Sequence, residues 1–109
     1  MSSIWEEFID SLKDDAGQLA KQEFKDFINT SKKDTQNFLK RQGHKLELYL
    51  EQLADCKITK KQFEGYVMDI KDLTEMHALK MSVAAKARAQ RFVTGLVNLV
   101  FDGLLKLIK

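Results

Sequence analysis

Apolar residues crowd the end of this chain. Over residues 95–109 the plainly polar side chains are Asn98, Asp102, Lys106 and Lys109. Their spacings of four, four and three place them on one narrow stripe of a helix. Leu96, Val97, Leu99, Val100, Phe101, Leu104, Leu105, Leu107 and Ile108 cover the rest of the circumference. A helix this apolar must be enclosed by its own chain, by another copy or by lipid.

Helical stripes run through most of the chain. Leu46, Tyr49, Leu50 and Leu53 form one, and Phe63, Val67 and Ile70 start another. Between them, residues 55–58 interrupt the rhythm. Thr59 and Gln62 then have the form of a capping box, in which the Thr59 hydroxyl accepts from the Gln62 amide and the Gln62 side chain reaches back. A turn at 55–58 is therefore expected. Nearer the start, Ser2 or Ser3 is a candidate cap, with Glu6 and Glu7 in the first turn. Ile4, Trp5, Phe8, Leu12, Leu19, Phe24, Phe27 and Ile28 then make a broad apolar face.

Two places are ambiguous. Ser31 to Asp34 has the form of a cap, yet Phe24, Ile28, Ser31, Thr35 and Phe38 keep a helical rhythm across it. Asp72 to Glu75 is a second possible capping box inside an unbroken pattern. Beyond it, Leu73, Met76, Val83, Ala87, Val97, Phe101, Leu104 and Ile108 follow one seam. Met81, Ala84, Ala85, Ala89, Phe92, Leu96 and Leu99 follow another. Two seams on one helix call for neighbours on two sides.

The expected fold is all-α. The central turn divides the chain into arms over residues 1–54 and 59–109, each roughly 75 Å long if unbroken. This predicts an antiparallel helical hairpin of two long arms, bent or straight, packed as a helical bundle and completed by self-association. Bends near residues 30 and 72 would instead give four shorter helices folding on themselves.

Composition supports helix. The 109 residues contain no proline, and 44% are hydrophobic against 31% charged, which fits one folded helical domain over 1–109. Net charge is +2 but unevenly placed. Residues 1–30 carry −4, residues 31–62 carry +4, residues 63–80 carry −2 and residues 81–109 carry +4. Such alternation suits antiparallel neighbours, although exposed pairs contribute only about 0–1 kcal/mol each. The acidic start, with Asp10, Asp14 and Asp15 following Glu6 and Glu7, differs from a signal peptide and predicts a cytoplasmic chain. The most apolar window, residues 92–108, falls short of the roughly twenty residues of a spanning helix.

Candidate chemistry is sparse. Ile58 and Phe63 stand as they would in the second half of an EF-hand. The corresponding ligand positions, however, hold Glu51, Leu53, Asp55 and Gln62, too few oxygens for a cation that takes about six to eight. His44 and His77 are isolated, so no metal site is expected. Cys56 has no partner for a disulfide within the chain and no histidine near it in sequence to act as a base. Lys80, Lys86, Arg88 and Arg91 make the densest basic patch, but their spacing splays them around a helix and nucleic acid is not the expected partner.

These features predict a non-enzymatic structural or interaction module with no cofactor, no metal and no small-molecule substrate. The expected partner is a second copy, as a homodimer, or another protein. Val83, Ala87, Val97, Phe101, Leu104 and Ile108 are the candidate self-association residues. The competing reading is a peripheral protein whose residues 92–109 lie in a membrane surface, with Arg88, Arg91, Lys106 and Lys109 meeting anionic headgroups.

Overall fold

The computed structural model describes residues 4–13 and 20–108. Five principal helices follow in order: α1 (Ile4–Ser11), α2 (Lys21–Lys32), α3 (Asn37–Ala54), α4 (Lys60–Ala78) and α5 (Val83–Gly95). From α5 the chain continues into a π-helical segment (Leu96–Leu104) and a last short turn, α6 (Leu105–Leu107). The described residues contain no strand. The candidate caps Ser2 and Ser3, and also Asp14, Asp15, Leu19 and Lys109, lie outside the described residues.

The turn at 55–58 is present and is closed at both ends by local chemistry. Lys57 N–H donates to the Gln52 carbonyl at 2.8 Å and Cys56 N–H to the Leu53 carbonyl at 3.1 Å, the two bonds of a Schellman motif. That motif requires a left-handed residue at its hinge, and Cys56 supplies it with φ of 60°. On the exit side Thr59 and Gln62 form the complete capping box. The helices on either side, α3 and α4, pack against each other.

The arms are not continuous. The first is interrupted before α2 and again at residues 33–36, and the second at residues 79–82. The break at 33–36 overlaps the end of the Ser31–Asp34 segment without using Ser31 as its cap, and the break at 79–82 lies away from Asp72. Ser31 lies inside α2, where its hydroxyl donates to the Phe27 carbonyl at 2.8 Å. Asp34 instead accepts from the Gln36 amide at 2.8 Å. Gln36 is the true cap of α3, its side chain accepting from Leu39 N–H at 2.9 Å. Asp72 stays within α4, and Ser82 caps α5 through Ala85 N–H. Shorter helices can fold back on one another, so one chain buries apolar surface that two straight arms would leave open.

Helix α3 is the hub, packing against α1, α2 and α4. Trp5 and Ile9 of α1, Phe24 and Ile28 of α2, Leu46 and Leu50 of α3, and Phe63 and Val67 of α4 are enclosed in one cluster. A Cβ on Gly43 would lie 2.8 Å from the backbone of Ser31 and Lys32, so α2 and α3 approach closely because that position is glycine.

The π segment has a readable cause. Its core-facing residues Leu96, Val100 and Leu104 are all fully buried and recur every four residues, continuing from Phe92. The exposed Asn98, Asp102 and Lys106 recur every four as well. Three successive steps of four drift steadily around a helix of 3.6 residues per turn. A wider turn, closed by i→i+5 bonds, keeps both stripes aligned.

Candidate functional site

Among the described residues, the most exposed large apolar side chains fall where α4 gives way to α5. Met76 is 63% exposed, Leu79 is 79% exposed and Val83 is 88% exposed. Their exposure follows from helix geometry. Phe63, Val67, Ile70 and Thr74 turn α4's inner face to the core, which sends Met76 to the outer side. Leu79 then ends α4, with Lys80 N–H bonded to the His77 carbonyl and Met81 N–H to the Ala78 carbonyl. Val83 opens α5 beside its cap, and Ala84 and Ala87 continue this outer surface.

Charges flank this corner. On α4 stand Asp72 and Glu75, with Glu75 paired to Lys71 at 2.7 Å. That hydrogen bond raises the Lys71 ammonium above its usual pKa. Lys80 stands in the turn and Lys86 on α5, where Lys86, Glu75 and Leu79 line one space. The corner therefore has an apolar centre with charges of both signs around it.

The six residues of the sequence-derived surface do not stay together. Val83 and Ala87 are exposed at the corner, while Val97, Phe101 and Ile108 are half-buried. Leu104 is fully enclosed by its own chain. The second seam accounts for this: Ala85, Ala89, Phe92 and Leu96 face the core, so Val83 and Ala87 point outward. Farther along, Phe101 and Ile108 pack against the core, and Lys60 Nζ donates to the Ile108 carbonyl at 2.8 Å.

A second feature, not foreseen from sequence, is a cleft of about 310 Å³ between α2 and α5. At one end Phe27 and Phe92 stack with ring centroids 5.4 Å apart. A Cβ on Gly95 would collide with the Phe27 ring, so glycine allows this contact too. At the other end Arg88 Nε meets Asp34 at 3.3 Å. Leu39, Thr30 and Arg91 also line the space. Arg88 and Asp34 are 54 residues apart, and no local pattern announces their pairing.

The remaining candidates have ordinary surroundings. His44 is exposed, and His77 stacks on Phe38 with centroids 3.9 Å apart. Cys56 is exposed at the turn. Of the acidic start, Asp10 pairs with Lys25 at 2.6 Å. Among the described residues no group of three or more His, Cys, Asp or Glu side chains is arranged to hold a metal ion. Nor is any helix among them long and apolar enough to cross a membrane. No protein-family model matches this chain, and no match to it is found among characterised proteins or solved structures.

Proposed function

We propose that this protein is a non-enzymatic interaction module that self-associates as a dimer, with the α4–α5 corner as its contact surface. The observation that carries the reading is the exposure of Met76, Leu79 and Val83, which follow one another through the α4–α5 turn. Apolar groups concentrated in this way lose free energy when they are covered. A second copy of the chain is the cover, since its own corner offers a matching apolar patch. A two-fold axis through the corner would set Met76, Leu79 and Val83 of each copy against the same residues of the other. Val83 and Ala87 are retained from the sequence-derived surface, and Met76 and Leu79 join them. Val97, Phe101, Leu104 and Ile108 support the fold of each copy instead.

The competing membrane reading asks more of the chain. An in-plane helix over 92–109 would have to turn Leu96, Val100 and Leu104 out of the core that encloses them.

Sedimentation velocity over a wide concentration range tests the proposal. The intact chain should move from monomer towards dimer as concentration rises. A variant carrying Leu79→Asp and Val83→Asp should remain monomeric with an unchanged helical circular dichroism signal, because both sites are exposed. A parent that stays monomeric throughout, or a double variant that assembles equally well, would reject the proposal. Co-sedimentation of a monomeric parent with anionic vesicles would favour the membrane reading in its place.

A further inference from the structure

We propose that the cleft between α2 and α5 is a binding site for a small hydrophobic carboxylate, an organic acid whose apolar body lies on the aromatic floor. The cleft is held at both ends, by the Phe27–Phe92 stack and by the Asp34–Arg88 ion pair. Its volume of about 310 Å³ lies at the lower end of the range for small-ligand sites, and its floor of Phe27, Phe92 and Leu39 suits a ring or a short alkyl chain.

The polar side of the cleft is cationic in its unused capacity. Arg88 commits only its Nε to Asp34. Its two terminal nitrogens, and the whole guanidinium of Arg91, make no hydrogen bond or ion pair among the described residues. These arginines stand three apart on α5, on neighbouring positions of one helix surface. The planar fork of a guanidinium matches a carboxylate with two parallel N–H···O bonds, a geometry that an ammonium lacks. Asp34 is already occupied, accepting from both Arg88 and the Gln36 amide. Asp26, the other acid of the lining, is held by the Gln22 side-chain amide at 3.0 Å. It stands one turn before Thr30 on α2, towards the Phe27 end. An anion seated at Arg91 would have the Thr30 hydroxyl on the facing helix, and its apolar body would extend over the stacked rings.

The cleft shares no residue with the apolar corner, so this site stands or falls independently of dimerisation. The test is an amide-resolved NMR titration of the full chain with three probes: 3-phenylpropanoate, its uncharged amide, and acetate. The acid should produce saturable shifts at Phe27, Thr30, Leu39 and Phe92. The uncharged amide should bind about 10-fold more weakly, since it forfeits a charge-assisted pair, and acetate, which lacks the body, should not saturate. Arg91→Gln should weaken the acid by about 10-fold while leaving the melting curve unchanged, because Arg91 holds no other partner. Lys86→Gln, which removes a cation from the same helix outside the cleft, should leave binding unchanged. Absence of saturable shifts up to about 10 mM acid would overturn the proposal. Equal binding of acid and amide, or shifts confined to residues 76–83, would overturn it as well.

Discussion

The Trp5 indole donates a hydrogen bond to the Glu47 carboxylate at 3.0 Å, joining α1 to α3 across 42 residues. Lys32 of α2 binds the same carboxylate, so one half-buried acid ties three helices together. The indole ring itself is enclosed in the core. Trp5→Phe keeps most of the apolar contact and removes the bond, and should cost about 1.5–3 kcal/mol, the range for a hydrogen bond to a charged group. Urea unfolding followed by circular dichroism measures it. Because Trp5 is the only tryptophan, the parent's fluorescence reports the docking of α1 directly.

Cys56 occupies a left-handed conformation with φ of 60°, which costs a residue with a Cβ about 1–2 kcal/mol. Replacing it by glycine relieves that strain but adds freedom to the unfolded chain. The expected balance for Cys56→Gly is a gain of up to about 1 kcal/mol, read as a higher melting temperature. A clearly lowered melting temperature would show that the turn does not hold Cys56 in this conformation.

Two glycines inside helices should respond in opposite directions. Nothing lies within 4 Å of a Cβ added to Gly65, so Gly65→Ala should stabilise by about 0.5–1 kcal/mol through helix propensity alone. At Gly43 the added carbon meets backbone atoms of Ser31 and Lys32 at 2.8 Å, and backbone cannot rotate away. Gly43→Ala should therefore destabilise by about 1–3 kcal/mol, as overpacking does. Denaturation midpoints of the pair, measured together, check both signs.

Leu104 and Val83 stood together in the sequence-derived surface and should now separate. Leu104→Ala opens a cavity at a fully buried position and should cost about 2–5 kcal/mol. Val83→Ala, at a site that is 88% exposed, should change monomer stability by no more than about 0.5 kcal/mol. Equal losses in thermal melts at low protein concentration would place both residues in the core.

Features written in adjacent residues were legible before the structure. The helical character, the turn at 55–58 and the Thr59–Gln62 box each depend on neighbours within a few positions. The breaks at 33–36 and 79–82 are less so, because Ser31 looks a stronger cap than Gln36 and Asp72 as good a cap as Ser82, yet Ser31 and Asp72 both lie inside helices. The two seams of the second arm were both visible. Which one faced inward was not, since Val83 and Ala85 differ little in pattern and the choice depends on what α5 meets. The π segment had left a trace in the repeated fours of Asn98, Asp102 and Lys106, a period better suited to a wider helix than to 3.6. The cleft left no trace, because Asp34 and Arg88 meet only after four helices have formed.

The hub position of α3 bears on how the chain reaches its fold. Helix α2 meets α3, α3 meets α4, and α4 meets α5, so most of the packing joins segments that follow one another along the backbone. Little loop entropy is lost before such contacts form, and chains of this kind collapse and order within about microseconds to milliseconds. The closure of α5 over α2 spans more chain, 54 residues between Asp34 and Arg88 against 42 between Trp5 and Glu47, and comes at greater entropic cost. The expected sequence of events is assembly of neighbouring helix pairs, then arrival of α1 on α3, with the stacking of Phe27 on Phe92 among the last large contacts to form.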